Sequence, residues 1–514
     1  MKNKEKENFT KLTQKKGISL IVLIITIIVI IILSAVVIMT VSLNNPLSSA
    51  REAVFKEDIS NFKTELEMYK AEMQVRKEKP ENLNATKDTE PSIQDIITNM
   101  SDKYAKILEI KKGKLVYVGN NKAEYLLAYE MGMLPEDELL DDEIIEALQP
   151  FITEWTVSDN DSITLPVSEG ECDFTVDYGD GTGEYKVTSE DDEDITHTYE
   201  KAGTYTVTIK GKCTSFIMSS CESKDKLTRL LQWGSTGFTS VNFASCTNLE
   251  GKIPGTSTNT FKNVTSFNYL FGDCPKLTGS IPENLFASAT KVITFSYTFR
   301  RCTGLTGSIP ENLFANCVKI KILERVFDGC SGLTGTIPEN LFKNNTEVTS
   351  FGVFLGGCKG LTGTIPENLF KNNTEVTNFG GFFGGCTGLT GDIPENLFKN
   401  NSKVTFFSQT FYTCTGLTGN IPESLFSNCP EVTNFGWTFR NCKNLTGEIP
   451  ENLFLNCSKA TSFERTFDSC INLTGNAPAL WERENVTSYV SCFLRCTNLS
   501  NYNEIPSSWG GGGT

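Results

Sequence analysis

Cys246, Cys274, Cys302, Cys330, Cys358, Cys386, Cys414, Cys442 and Cys470 follow one another at intervals of 28 residues. A period of roughly 20 to 50 residues belongs to a chain that winds into stacked coils. Other apolar positions keep step: Val264, Phe267, Phe271, Leu277, Ile281, Leu285 and Phe286 recur as Val292, Phe295, Phe299, Leu305, Ile309, Leu313 and Phe314. One coil alone buries too little to offset about 1–2 kcal/mol of backbone entropy per residue, so only an array is stable. Leu305 to Phe314 reads Leu-Thr-Gly-Ser-Ile-Pro-Glu-Asn-Leu-Phe. Leu305 and Ile309 point inward along a short extended segment, and Gly307 opens a turn. Pro310 then starts a short helix whose Leu313 and Phe314 close the core. The expectation is an α/β solenoid of 28-residue coils over residues 214–505, with a Gly-rich tail at 506–514.

The repeat also constrains chemistry. One cysteine per coil reads as a buried ladder of small hydrophobes, and parallel Cβ vectors suit disulfides poorly, so free thiols are expected. Cys429 and Cys457, again 28 apart, are the pair best placed if any disulfide forms. A single histidine and no Cys-x-x-Cys pair argue against zinc, and neither a metal nor a cofactor is expected. The Glu of Pro-Glu-Asn recurs coil after coil, which suits a structural duty rather than a catalytic carboxylate pair. No nucleophile with a base stands out, and the chain reads as non-enzymatic. Lys343, Asn344, Asn345 and Thr346 align with Lys371, Asn372, Asn373 and Thr374 as an outward polar ladder, which fits either a repetitive ligand or a solvated face. The period slips at the end, where Cys496 follows Cys470 by 26 residues and Trp481 takes a Leu slot. Such irregular terminal repeats cap arrays.

At the other end, Ile18 to Leu43 carries no charge, and at ~1.5 Å per residue it can cross the ~30 Å hydrocarbon layer of a membrane. Lys2, Lys4, Lys6, Lys11, Lys15 and Lys16 precede it. The positive-inside rule keeps that end in the cytoplasm and places the rest outside a single-pass membrane anchor. The run Lys15-Lys16-Gly17-Ile18-Ser19-Leu20-Ile21 resembles the leader junction of type IV prepilins. That resemblance implies cleavage between Gly17 and Ile18 by a prepilin-type peptidase, whereas a plain uncleaved anchor is the alternative. The family usually has Glu at the fifth mature position, where this chain has Val22, which weighs against a major pilin but not a minor one. A helix from Ala50 to Val75 and short strands on either side of Lys112-Gly113 suit a pilin-like stalk.

Between stalk and repeats, alternation from Trp155 to Lys212 points to a small antiparallel β-sandwich. Val176-Asp177-Tyr178-Gly179-Asp180-Gly181-Thr182 marks a tight turn: Gly179 and Gly181 allow positive φ, and Asp177 and Asp180 bond nearby amides. Asp177 and Asp180 lack the rest of a calcium loop. His197 lies in His-x-Tyr and is read as structural. With Gly203-Thr204-Tyr205-Thr206-Val207, these runs resemble the polycystic-kidney-disease (PKD) type of immunoglobulin-like fold. That order, then Lys224-Asp225-Lys226-Leu227, Gln232-Trp233-Gly234 and the Val-Thr-x-Phe-x-x-x-Phe-x-x-Cys repeats, resembles the BspA-family leucine-rich-repeat surface proteins of bacteria. The resemblance implies surface display and adhesion to an extracellular protein or glycan. A net charge of -15 with basic residues clustered only before the apolar run excludes nucleic acid as an expected partner. The expected layout is a basic leader (1–17), a transmembrane helix (18–43), a stalk (44–150), a PKD-like sandwich (151–213), the leucine-rich-repeat solenoid (214–505) and the tail (506–514).

Overall fold

The computed structural model describes residues 59, 63, 107–111, 114–118, 149–167, 170–257 and 260–513. Gly17, Ile18 and the apolar span 18–43 lie outside the described residues. Among those described, no helix is long and apolar enough to cross a membrane. The chain divides into two compact units, Met1–Asp142 and Glu143–Thr514. In the first, β1 (Leu108–Lys111) and β2 (Lys114–Tyr117) form an antiparallel hairpin with Leu108, Leu115 and Tyr117 buried.

The second unit opens as a β-sandwich. Period-two alternation builds β3 (Phe151–Val157), which buries Phe151, Thr153, Trp155 and Val157 along one face. It pairs antiparallel with β8 (Gly203–Cys213), which pairs with β5 (Cys172–Asp177), which in turn pairs with β6 (Glu184–Val187). Facing this sheet, β4 (Asp161–Thr164) and β7 (Thr196–Tyr199) form a second antiparallel pair. The larger sheet continues past residue 213: β10 (Leu227–Gln232) forms its edge beside β3. Two register shifts break the alternation of β10, so the sequence there does not read as a strand.

From β9 (Ser215–Ile217) and β11 (Ser240–Asn242), which pair in parallel, the chain passes its backbone bonds forward coil by coil. Phe267, Tyr269, Phe271 and Asp273 donate to the carbonyls of Thr294, Ser296, Thr298 and Arg300 at 2.7 to 3.0 Å. At another corner Thr306 donates to Gly279 and Thr334 to Gly307, both at 2.9 Å. Phenylalanine rings stack through the interior, as Phe299 on Phe327 at 5.5 Å and Phe411 on Phe439 at 5.6 Å.

The α/β expectation is corrected for these coils: residues 260–513 contain no α-helix. After Pro310 the chain makes successive four-residue turns, Leu313 to Pro310, Ala315 to Asn312 and Cys317 to Phe314, at 3.0 to 3.2 Å. The reason is geometric. Helices pack about 8–10 Å apart, whereas bridged strands rise ~4.8 Å, so a helix in each coil would splay one side of the stack, and here the coils are instead bridged at two corners, by Phe267 to Thr294 and by Thr306 to Gly279. Leu313 and Phe314 are nonetheless buried, as expected.

Both ends of the stack are closed. At the first, Trp233 lies edge-on to Phe261 at 4.8 Å and donates to Pro254 O at 3.0 Å, which joins the sandwich core to the coils. One hydrophobic core runs from Phe151 to Trp509. At the other, the Gly-rich segment folds back: Phe493 donates to Trp509 O at 2.8 Å, and Trp509 stacks on Tyr489 at 4.8 Å. Gly510 has φ 91°, and a Cβ there would lie 2.6 Å from the Leu494 nitrogen, so only glycine fits.

Candidate ligand-recognition edge

The sequence-predicted residues turn inward. Asp177 Oδ1 accepts from Gly179 N at 2.8 Å. Asp180 accepts from Thr182 N at 3.1 Å and from Thr182 Oγ1, and bonds His197 Nε2 at 2.7 Å. His197 stacks on Tyr178 at 4.3 Å, so these groups form an internally satisfied turn clasp. Gly179 has φ 78° and a Cβ there would strike Thr206 O at 2.4 Å, whereas Gly181, at φ 85°, has open space around it.

The cysteine ladder is buried and its thiols are free. Sγ donates to a carbonyl of the preceding coil: Cys302 to Phe271 at 3.0 Å, Cys330 to Phe299 at 2.8 Å, and Cys470 to Phe439 at 2.9 Å. Burial pushes the Cys386 and Cys442 thiols up to about 12, which removes nucleophilic thiolate at neutral pH. Among the described residues no cluster of metal-ligating side chains occurs.

The polar ladder is also partly internal, a correction to its outward reading. Asn345, Asn373 and Asn401 are fully buried, each donating Nδ2 to two carbonyls of the coil before it. Asn344 is exposed but donates to Ala315 O at 3.0 Å. The Pro-Glu-Asn corner behaves alike: Asn340 donates to Glu311 at 2.8 Å, Asn368 to Glu339 at 2.8 Å, and Asn396 to Glu367 at 2.7 Å. These side chains recur because each bonds a counterpart one coil away.

One edge does not recur. Five residues before the ladder cysteine stand Tyr269, Tyr297, Arg325, Val353, Gly381, Gln409, Trp437 and Arg465 in successive coils. Two residues before it stand Gly272, Arg300, Asp328, Gly356, Gly384, Tyr412, Arg440 and Asp468. The first column holds left-handed backbone throughout, as at Tyr297 (φ 62°), Val353 (φ 56°) and Trp437 (φ 65°), so its side chains leave the stack in one direction regardless of type. Of the seven arginines after residue 260, six (Arg300, Arg301, Arg325, Arg440, Arg465 and Arg495) lie within five residues before a ladder cysteine or its equivalent Cys496. The seventh, Arg483, caps Phe454 O and Cys457 O at 2.8 and 3.3 Å.

Within this edge one arrangement occurs twice, five coils apart. Tyr297, Arg300, Glu324, Arg325 and Asp328 correspond to Trp437, Arg440, Glu464, Arg465 and Asp468. In the first copy Arg325 Nη1 donates to Asp328 at 3.0 Å, and the Arg300 guanidinium lies 5.7 Å from the Tyr297 ring. In the second, Arg440 Nε and Arg465 Nη1 donate to the fully buried Asp468 carboxylate at 2.9 and 3.2 Å. Both guanidiniums of that copy face the Trp437 ring, at 4.5 and 5.4 Å. Between the copies the first column holds Val353, Gly381 and Gln409 and the second Gly356, Gly384 and Tyr412, with Gly357 and Gly385 partly exposed beside them. Sequence reasoning missed this edge. Aligning the coils with one another and asking which exposed columns differ would have shown it.

Among comparisons with known proteins, the family described as "Mycoplasma protein of unknown function, DUF285" matches residues 323–452 and 377–509. No curated relative matches. Among solved structures, the chain is similar to the leucine-rich-repeat ectodomain of the plant membrane receptor kinase GASSHO1/SCHENGEN3 from Arabidopsis thaliana, in complex with CASPARIAN STRIP INTEGRITY FACTOR 2. That match has 24% identity and a TM-score of 0.30, over 52% of this chain and 31% of that one. It is also similar to the ectodomain of the Arabidopsis receptor kinase HAESA with an extended IDA peptide hormone, at 18% identity and a TM-score of 0.26 over 49% and 48% of the two chains. The chain thus spans half or less of these structures.

Proposed function

We propose that this chain is a non-enzymatic recognition protein of the bacterial cell surface, an adhesin of the BspA type. Residues 18–43 tether it to the membrane, a PKD-like sandwich begins the displayed part, and a leucine-rich-repeat solenoid presents the arginine-bearing edge to an extracellular ligand. The observation that carries this reading is the division of the exposed surface. Side chains that bond the preceding coil are repeated, while the edge columns change residue type from coil to coil, and recognition draws on varied aromatic and Arg side chains held on a rigid scaffold.

The test combines location and contact. Protease shaving of intact cells should release peptides from residues 214–505, and Val353→Trp should abolish adhesion of expressing cells to their substratum while leaving expression unchanged. Adhesion that survives filling the edge would sink the proposal. The Lys15-Lys16-Gly17-Ile18 run supports an alternative, a minor pilin or pseudopilin-like component carrying the stack as a tip domain. Mass spectrometry of the mature N-terminus distinguishes the two, because a chain beginning at Ile18 favours the filament reading and one retaining Met1 to Gly17 the simple tether.

A further inference from the structure

We propose that the ligand of this edge is an extended acidic polypeptide segment, docked by carboxylates on Arg325 and Arg465. This rests on the reading of the edge as the recognition surface. Among the described residues Arg325 and Arg465 each donate a hydrogen bond only through Nη1, to Asp328 and Asp468. Nε and Nη2 of each are therefore left for a partner, and those two donors form the planar fork that grips a carboxylate with two parallel bonds. The side chains are 41% and 31% exposed, so the forks are reachable, while the acidic partners and neighbouring rings hold them in place.

The spacing selects the shape of the ligand. Five coils at ~4.8 Å place the two forks ~24 Å apart, and an extended chain rising ~3.3 Å per residue puts same-face side chains six or eight positions apart at ~20 and ~26 Å. A glycan fits less well at the two forks, because sugars stack on open aromatic faces and the rings of the two copies are faced by neighbours. Trp437 is faced by Arg440 and Arg465, and Tyr297 lies against Tyr269 at 4.5 Å.

The test is a display library of random peptides of about twelve residues, long enough at ~3.3 Å each to cover both forks, panned against the full-length chain in detergent. Selected peptides should carry Asp or Glu six or eight positions apart. Their affinity should fall roughly ten- to hundredfold for Arg325→Gln or Arg465→Gln, since a charge-assisted pair of bonds is lost. Arg465→Lys should not restore it, because a lysine has no fork. Unchanged thermal melts would show that the variants fold. Failure to select acidic pairs, or binding indifferent to both Arg variants, overturns the proposal. Binding of polygalacturonate that is lost in the same variants also overturns it in favour of a glycan, while leaving the edge as the recognition surface. If Val353→Trp, at a column that already holds Tyr297 and Trp437, leaves selected peptides bound as well, the edge reading falls too.

Discussion

Asn373 offers the sharpest test of how the coils are held. Its side chain is fully buried, with Nδ2 donating to Phe342 O at 3.1 Å and Asn345 O at 2.9 Å, while Oδ1 has no partner. Corresponding positions in other coils hold Ala289, Cys317, Cys429 and Cys457. Asn373→Asp keeps the shape but sets an oxygen against two carbonyl oxygens. It forfeits two bonds of about 1 kcal/mol each and buries an unpaired carboxylate costing several more, so the expected loss is about 4 kcal/mol or more at neutral pH. Asn373→Cys loses the same bonds but relieves the orphaned Oδ1 and gains a thiol donor, as Cys457 makes to Cys429 O at 3.5 Å. Its expected change is within about 1 kcal/mol. Burial raises the new carboxyl's folded pKa above the unfolded value of about 3.9, so the Asp penalty grows as pH rises through that value and fades below it. Urea unfolding followed by tryptophan fluorescence at neutral and mildly acidic pH measures all three chains. An Asp variant as stable as the parent at neutral pH would refute the donor orientation and the ladder built on it.

Three further outcomes are expected. Iodoacetamide at mildly alkaline pH should modify the partly exposed Cys172 and Cys221 first and reach Cys386 and Cys442, whose thiols burial raises to about 12, only after unfolding; peptide mapping reads the order. Gly510→Ala should cost about 2 kcal/mol or more through steric conflict, against about 1 for Gly181→Ala, where only the backbone sign is strained; equal melting shifts would mean the tail does not cap the stack. For Asp180, burial raises the pKa, but bonds from Thr182 and His197 outweigh it and leave the carboxyl below its ordinary 3.8. The stability that the depressed value adds is present above the unfolded pKa and is lost as pH falls through the folded one, so Asp180→Asn should flatten the acid limb of unfolding below about pH 4.

The features legible in the sequence were those on which stacking imposes sameness. The phenylalanine, leucine and cysteine columns announce themselves because a side chain packed on its own copy must match it. Asp177 and Gly179 announce the sandwich turn because the turn admits few alternatives. Where bonding rather than type decides, the sequence is ambiguous: Asn344 and Asn345 are adjacent and identical, yet one is exposed and the other buried. Pro310 reads equally well as a helix start or a turn, and the chain takes the turn. Strand β10 and the Gly510 cap stayed hidden because neither keeps a period. The edge bearing Arg325 and Arg465 stayed hidden for the opposite reason, since a search for repetition discards the columns that differ. Those columns are also where coil packing dictates least. Neutral change there would scatter residues without order, whereas this edge sets one five-residue arrangement down twice. Stacking accounts for the Arg440–Asp468 bond, which joins neighbouring coils, but not for the second copy, and a ligand long enough to touch both would explain the pair.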